Sequence, residues 1–228
     1  MQTLTPEFQK QFGISKVIGS FNGGQKIVYI VEDTSGKKMA MKSFIYYTPR
    51  DIQEIDILRR LGALPGISKI VDVKDYQGKP LLFEEYIEAP DLEEIIPSYE
   101  GNIDKVRTFI IDSVDILSPI WKEKIVHRDL KPKNIKILSD GKPIILDFGI
   151  ARDLTAQSLT DTGETQPMTW NYASPEQYNG DKDSIGYRTD FFCLGLIAYM
   201  LYYQRHPFGS TKAEIEGKFA TSDNEIAL

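Results

Sequence analysis

The 228-residue chain is long enough for one large domain or two closely packed lobes, and its formal net charge is −6. This charge argues against a non-specific nucleic-acid binder, which normally has a basic surface. The single cysteine, Cys193, excludes an intramolecular disulfide, and the longest uncharged apolar run, residues 191–203, is too short to span a bilayer. We therefore expect a soluble cytoplasmic protein.

The N-terminal part of the sequence predicts strands around one helix. Alternating β-branched residues over 14–45 predict three antiparallel strands joined by glycine-containing turns, and two more strands are predicted over 68–76 and 79–86. Thr48 as N-cap and Pro49 in the first turn predict a helix over 49–61. The apolar residues that mark its inner face recur every third position: Ile52, Ile55, Leu58 and Leu61.

The C-terminal part predicts helices. A long helix over 102–124 begins at the N-cap candidate Asn102, and Pro119 should kink or end it. The residues expected to face inward are Ile103, Val106, Phe109 or Ile110, Val114 and Leu117. Residues 190–203 are apolar on every side and predict a helix buried at the centre of a lobe, and a last helix is predicted over 211–219.

A predicted hairpin brings chemistry-bearing residues together. Two apolar runs, 135–138 and 143–146, flank a turn signal, so Asn134 enters the hairpin where Asp147 leaves it. An amide oxygen and a carboxylate then converge, and such hard oxygen ligands suit Mg²⁺, which is usually completed by water and substrate phosphates. Asp129 lies in a loop beside this point, where a carboxylate can orient a hydroxyl and accept its proton.

The segments HRDLKPKN (127–134) and DFG (147–149) together resemble the catalytic core of the eukaryotic-type Ser/Thr protein kinases. The resemblance implies a two-lobed α+β fold. Its N-terminal ATP-binding lobe, over 1–87, would have a five-stranded antiparallel sheet with one helix, and its mainly helical catalytic lobe, over 88–228, would be abbreviated. The implied cofactors are ATP and Mg²⁺, with Mn²⁺ as an alternative metal, and the implied acceptor is a serine or threonine of a protein substrate.

The resemblance also implies catalytic roles for individual residues. Asp129 would orient the acceptor hydroxyl, Lys131 would bond the transferring phosphoryl group, and Asn134 and Asp147 would bind the metal. His127 is expected to pack and form hydrogen bonds rather than to act as a base. The segment MAMK (39–42) resembles the strand that ends in the phosphate-contacting lysine, so Lys42 would meet the α- and β-phosphates. Glu54 would hold Lys42 there through an ion pair.

Residues 18–29 resemble the glycine-rich loop that covers the ATP phosphates, but the loop is about two residues longer, and Gln25 or Lys26 stands where the third glycine is expected. Lys26 would either add a cation near the phosphates or point into water. Residues 82–87 resemble the hinge, and a one-residue alignment choice decides whether Phe83 or Glu84 lines the back of the pocket. The nucleotide-binding residues implied by the family are Ile18, Gly19, Gly23, Gly24, Lys26, Val28, Ala40, Lys42, Glu85, Tyr86, Asp91 and Lys136.

Residues 147–176 are polar and are typical of a mobile activation segment, whose closing motif resembles TWNYASPE at 169–176. Lys131 and Thr169 are the pair found in Ser/Thr kinases. Autophosphorylation is expected within this segment, with Arg128 receiving the phosphate. The candidate acceptors are Thr155, Ser158, Thr160, Thr162 and Thr165.

The end of the chain leaves alternatives open. The arginine that normally pairs with the equivalent of Glu176 is absent, which is compatible with a small kinase, a truncated piece, or a chain completed by a regulatory protein partner.

Two functions other than protein phosphorylation are compatible with the sequence. One is a non-catalytic, pseudokinase-like binding module, and the other is a kinase of small molecules. No nucleic-acid or membrane partner is expected.

Overall fold

A computed structural model describes residues 4–23, 26–45, 48–62, 64–149, 151–154 and 169–220. The chain divides into two compact units. The first unit consists of Met1–Ala63 and Ile67–Glu88, and the second unit consists of Leu64–Gly66 and Ala89–Leu228.

The first unit contains the predicted five-stranded antiparallel sheet, in the order β1-β2-β3-β5-β4. Gln77 (φ 56°) and Gly78 (φ 77°) join the last two strands in a two-residue turn, and both have the positive φ that a type I′ turn requires. The strand bounds are β1 Ile14–Gly23, β2 Lys26–Asp33, β3 Lys38–Phe44, β4 Ile70–Tyr76 and β5 Lys79–Glu85.

The first unit has two helices within its described residues, so the expectation of one helix is wrong. Helix α2 (Pro49–Leu61) has the predicted bounds. Helix α1 (Pro6–Phe12) was not predicted, because seven residues with two apolar side chains give little periodicity. Its local signals are nevertheless present, since the Phe8 N–H donates to Thr5 Oγ1 (3.2 Å) and Gly13 ends the helix at φ 70°.

The two faces of the sheet differ in chemistry. Strand alternation puts Met39, Met41 and Phe83 on one face, where they form a core with Phe8 and Phe12 of α1. The opposite face carries a cluster of charged residues.

Helix α2 buries most of its predicted inner face. Ile55, Leu58 and Leu61 are buried, whereas Ile52 is 46% exposed. The prediction for Ile52 is therefore wrong, because the buried side of this end of the helix carries Asp51 (7% exposed) and Glu54 (1% exposed) instead.

The second unit is mainly helical and has two small two-stranded sheets among its described residues, β6 with β9 and β7 with β8. Short 3₁₀ turns occupy Ile96–Tyr99 and Pro132–Asn134. The helices are α3 Leu92–Ile95, α4 Ile103–Lys122, α5 Pro175–Tyr178, α6 Tyr187–Tyr203 and α7 Lys212–Ala220. The strands are β6 Ile125–Val126, β7 Ile135–Ile137, β8 Pro143–Ile145 and β9 Arg152–Asp153.

Helix α4 begins as predicted, because Asn102 Oδ1 accepts a hydrogen bond from the Lys105 N–H (3.0 Å). The helix does not end at Pro119 but continues to Lys122. Ile103 is 54% exposed rather than inward, since it is the first helical residue and precedes the packed turns. Val114 is only half-buried, and the buried apolar residues are Val106, Phe109, Leu117 and Ile120.

Helix α6 packs against α4 and begins three residues before the predicted start. It is not buried on every side as predicted, because Phe191 and Tyr203 are 43% and 53% exposed. Leu194, Ile197 and Leu201 are among its buried residues. Among the helices that the structure describes, none combines the length and apolar character needed to cross a membrane.

Candidate active site

The predicted catalytic hairpin is present in the second unit. Strands β7 and β8 pair with Ile135 opposite Ile145, and the turn between them has Gly141 at φ 87°. The Leu146 N–H donates to the Asn134 carbonyl (2.8 Å), so Asn134 lies opposite the residue directly before Asp147. The fold therefore brings the backbones of the two predicted metal ligands to the same end of the hairpin.

Asp129 is the centre of a hydrogen-bonded network that contains both residues of the predicted Ser/Thr-kinase pair. Lys131 Nζ donates to Asp129 Oδ2 (2.7 Å) and to Thr169 Oγ1 (2.8 Å). Thr169 Oγ1 donates in turn to Asp129 Oδ1 (2.8 Å). Lys131 and Thr169 thus hold the two carboxylate oxygens of Asp129, one each.

Asn134 completes this network from the other side. Its Nδ2 donates to the backbone carbonyl of Asp129 (2.9 Å) and to Asp129 Oδ2 (3.1 Å). A backbone carbonyl can only accept a hydrogen bond, so the amide must direct its nitrogen toward Asp129. Its oxygen then remains as the atom that can ligate a cation.

The backbone around these residues has an uncommon conformation. Arg128 and Asp147 have φ values of 70° and 61°, in the left-handed region that residues other than glycine rarely adopt. At Arg128 both backbone groups are bonded, because its N–H donates to Asp190 Oδ1 (2.9 Å) and its carbonyl accepts from Gln177 Nε2 (2.8 Å). These contacts offset the cost of the strained conformation and fix the loop that carries Asp129.

Asp190 ties α6 to the catalytic loop. Its Oδ2 accepts from the His127 N–H (2.9 Å) and from Trp121 Nε1 (2.8 Å), and the carboxylate is fully buried. Burial raises the pKa of Asp190, whereas its three N–H donors favour the ionised form. Removing this carboxylate would leave buried donors without an acceptor.

His127 packs and forms hydrogen bonds as predicted. Its Nδ1 accepts from the Asp129 N–H (3.2 Å), so Nε2 carries the proton and donates to the Leu146 carbonyl (2.9 Å). The ring also contacts Phe148, with centroids 4.7 Å apart. His127 therefore connects the loop before Asp129 to the segment before Asp147.

In the first unit, Lys42 contacts Glu54 as the family resemblance implied, with 3.2 Å between Nζ and Oε1. Glu54 is the α2 acid that faces the sheet, because its exposed fraction is 1%, whereas the side chain of Asp56 is 62% exposed. Asp51 instead caps the helix by accepting from the Thr48 N–H (2.7 Å).

Two further charged residues, Lys26 and Glu84, join this pair. Lys26 Nζ lies 2.9 and 3.0 Å from the two carboxylate oxygens of Glu54, so its ammonium is held by a carboxylate rather than pointing into water. Glu84 Oε1 lies 2.6 Å from Lys42 Nζ. Glu84 thus shares the face of the sheet with Lys42, whereas Phe83 faces the α1 core.

The segment that closes the predicted activation region is anchored within the second unit. Glu176 accepts a hydrogen bond from Thr189 Oγ1 (2.6 Å). Cys193 is buried, its thiol donates to the Tyr172 carbonyl (3.0 Å), and burial raises the thiol pKa. The five candidate phosphorylation sites, from Thr155 to Thr165, lie outside the described residues.

The predicted nucleotide-binding residues have varied surroundings. Lys136 Nζ pairs with Asp91 Oδ1 (2.7 Å), which holds both side chains in the second unit. The Glu85 N–H donates to the Lys69 carbonyl (2.9 Å), and Ile18 is 45% exposed. Gly23 pairs with Lys26 across β1 and β2, and Gly24 lies outside the described residues.

Comparison with known proteins identifies the family. The sequence model described as "Protein kinase domain" matches residues 12–226. The chain belongs to the protein kinase domain family. Among curated members of this family, "Probable serine/threonine-protein kinase PkwA" of Thermomonospora curvata is 30% identical over 82% of the chain and 26% of its own length. "Serine/threonine-protein kinase AfsK" of Streptomyces coelicolor is 30% identical over 90% of the chain and 26% of its own length.

A third relative of this kinase domain, "Probable serine/threonine-protein kinase PknB" of Lactococcus lactis, is 29% identical over 90% of the chain and 34% of its own length. The chain therefore spans about a quarter to a third of the length of these relatives. The family membership, together with the observed elements, confirms the predicted kinase-like α+β fold.

Sequence reasoning missed three residues that fix the kinase site. Gln177 bonds the Arg128 carbonyl, Trp121 bonds Asp190, and Glu84 contacts Lys42. Gln177 follows the SPE triplet directly, and its three-residue spacing from Ser174 is a capping-box signal, but this signal does not indicate the contact with Arg128. Trp121 and Glu84 give no local signal of their partners.

Proposed function

We propose that this kinase domain transfers the γ-phosphoryl group of ATP to a serine or threonine hydroxyl of a protein. The observation that supports this most directly is the network in which Lys131, Thr169 and Asn134 all contact Asp129. The printed names of the relatives agree with this activity. In this proposal residues 1–87 form the ATP-binding lobe and residues 88–228 form the catalytic lobe.

The proposed mechanism uses positioning and charge rather than covalent catalysis. Asp129 orients the acceptor hydroxyl and accepts its proton while the oxygen attacks the γ-phosphorus. Lys131 places its ammonium on the transferring phosphoryl group, and Lys42 contacts the α- and β-phosphates. Positioning of this kind can lower the barrier by about 7–11 kcal/mol, and charge stabilisation supplies most of the remainder.

The residues present fit a hard divalent cation. The oxygen of Asn134 and the carboxylate of Asp147 are its proposed protein ligands, because the amide nitrogen of Asn134 is directed at Asp129. No group of three or more His, Cys, Asp or Glu side chains suited to a metal occurs in the described part of the chain, which agrees with a site completed by water and phosphates. When bound, the cation neutralises charge on the phosphates. We propose Mg²⁺, with Mn²⁺ as a substitute.

The remaining nucleotide contacts are also proposals. Ile18, Gly19, Gly23, Gly24, Val28 and Ala40 would cover the nucleotide, and the backbone of Glu85 and Tyr86 would bond the adenine edge. Lys26 acts on the phosphates indirectly, because it is bound to Glu54. Asp91 holds the Lys136 ammonium, so the methylene stem of Lys136 is the part proposed to contact the base.

The proposal extends to regulation and partners. We propose autophosphorylation between Thr155 and Thr165, with Arg128 as the phosphate-binding residue, and a protein partner that regulates or completes the catalytic lobe. We also propose that the kinase domain works in the cytoplasm without nucleic-acid or membrane partners. The single buried cysteine is compatible with such a reducing compartment.

The test is a transfer assay with purified protein, [γ-³²P]ATP, Mg²⁺ and a generic protein acceptor, followed by acid hydrolysis to phosphoamino acids. Label in phosphoserine or phosphothreonine, absent in Asp129→Asn, is the expected result. Nucleotide binding by calorimetry without transfer would overturn the proposal in favour of a binding module, and label only in an added small-molecule acceptor would overturn it in favour of a small-molecule kinase. Replacing Mg²⁺ by Mn²⁺ decides the metal preference.

A further inference from the structure

Lys42 of the first unit is bound by two buried carboxylates rather than one. Its Nζ lies 2.6 Å from Glu84 Oε1 and 3.2 Å from Glu54 Oε1. The side chains of all three residues are at most 7% exposed. The shorter contact is therefore made by the glutamate of β5, not by the glutamate of helix α2.

The register of the sheet explains how Glu84 reaches Lys42. Lys42 lies opposite Leu82, and Ala40 lies opposite Glu84, so Lys42 and Glu84 are diagonal neighbours on the same face. The Ala40 methyl is too short to separate them. Ser68 Oγ donates to Glu84 Oε2 (2.8 Å), which fixes the other end of the carboxylate.

Lys26 explains why a second acid is useful. Its Nζ is within 3.0 Å of both Glu54 oxygens, one of which is also the oxygen that contacts Lys42. Glu54 therefore divides its charge between two ammonium groups, and Glu84 adds a second carboxylate beside Lys42. A buried ammonium needs such pairing, because desolvation of a lone buried charge is costly.

We propose that Glu84 is a second positioning residue for Lys42, acting together with Glu54 to hold the ammonium for phosphate contact. The proposal rests on the proposed kinase function. Because β5 is hydrogen-bonded directly to β3 in one sheet, Glu84 holds Lys42 independently of the position of α2. Lys42 then keeps one carboxylate partner when the other is neutralised, so the loss of both should cost more than the product of the two single losses.

The activity test compares Glu84→Met, Glu54→Gln and the double variant with the wild type, using kcat and the KM for ATP. Met replaces Glu84 with an apolar side chain of similar size. We expect kcat to fall by about 10- to 100-fold in Glu84→Met, and by more than the product of the single effects in the double variant. Glu88→Gln, an equal charge change at an exposed ion pair with Lys38, is the matched control and should leave kcat unchanged.

Two outcomes of the activity test would overturn the proposal. An unchanged kcat in Glu84→Met would show that packing alone is needed at this position. A lower KM for ATP with an undiminished kcat would show that Glu84 competes with the phosphates for Lys42. If the wild type transfers phosphate, either result would contradict the proposed role of Glu84 without contradicting the proposed kinase function.

A second arm does not depend on activity. Urea unfolding of the wild type, Lys42→Met, Glu84→Met and Lys42→Met/Glu84→Met forms a double-mutant cycle. We expect Glu84→Met to lower the urea midpoint in the wild-type background, and to lower it less or not at all once Lys42 is absent. Independent effects of the two substitutions would contradict the pairing, whether or not the wild type transfers phosphate.

Discussion

The catalytic loop of the second unit is a partly buried network of charged residues, and the Lys42 cluster of the first unit is a more deeply buried one. The two are also built differently. In the loop, Asp129, Lys131 and Asn134 lie within six residues, and backbone groups supply several of the contacts. In the cluster, the four charged residues come from β2, β3, α2 and β5, and the ion pairs join side chains only. A network of neighbouring residues is specified by a short motif, whereas a network of distant residues is specified by the pairing of strands and helices.

The largest effect is expected from the centre of the catalytic loop. Asp129→Ala should lower kcat by roughly 10²–10⁴, because it removes the group that orients the hydroxyl and accepts its proton. Steady-state phosphate transfer to a protein acceptor measures this. The exposed Asp56→Ala is the control and should keep the wild-type rate. Turnover equal to that of the wild type in Asp129→Ala would show that this carboxylate takes no part in the mechanism.

Removing the long-range anchor of the loop should weaken the second unit. In Asp190→Asn an amide nitrogen must face at least one of the three N–H donors from Trp121, His127 and Arg128. The free energy of unfolding should fall by about 1–3 kcal/mol, the cost of an unsatisfied buried donor. Urea unfolding followed by Trp fluorescence measures it.

The control for this anchor is Asp183→Asn, at an exposed aspartate of the same unit. If Asp190→Asn unfolds at the same urea concentration as the wild type, the loop does not depend on Asp190. The loop would then be self-sufficient, and its contrast with the Lys42 cluster would be sharper than we infer.

These two networks also show how far the sequence could predict the structure. The strands and α2 followed from alternation, caps and turn residues, and the hairpin that carries Asn134 and Asp147 followed from its turn signal. Local signals of this kind need no knowledge of distant contacts. Helix α1 was missed because its seven residues give too little periodicity. Ile52 and Ile103 were placed inward because apolar spacing alone does not show which side of a helix, or which of its turns, is packed.

In the candidate site, too, contacts within short motifs were easier to predict than contacts between distant residues. The family motif indicated Lys131 and Thr169 as a pair, and both contact Asp129, whereas Glu84 could not be chosen over Phe83 from sequence. That choice depends on which face of β5 meets Lys42, and a shift of one residue reverses the face. Gln177 was missed for a related reason, because its bond to Arg128 joins residues 49 positions apart.

A smaller effect is expected at the single hydroxyl that joins the loop to the closing segment. Thr169→Val removes the hydrogen bonds of Oγ1 with Lys131 and Asp129 while keeping the shape of the side chain. A loss of about 0.5–1.5 kcal/mol predicts a fall in kcat of roughly two- to tenfold. Thr169→Ser keeps the hydroxyl and should retain most of the activity. Equal loss in both variants would mean that the methyl group, not the hydroxyl, is what Asp129 requires.

The smallest expected effect is on how stability depends on pH, and it comes from a histidine of the second unit. The chain has two histidines, His127 and His206, and both lie in this unit. Burial lowers the pKa of His206, whose Nε2 donates to the Asn171 carbonyl (2.9 Å) while Nδ1 accepts from the Phe208 N–H (3.2 Å). Protonation would remove the Nδ1 acceptor.

The sign of this dependence follows from the lowered pKa. As pH falls below the ordinary histidine value of 6.5, the unfolded chain binds a proton that His206 in the folded protein does not yet accept, so stability decreases and continues to decrease until the folded pKa is passed. Urea midpoints between pH 7.5 and 5.5 should therefore decline, and the decline should be smaller in His206→Gln, which cannot titrate. The same slope in both proteins would contradict the role of His206 and assign the pH dependence to other groups.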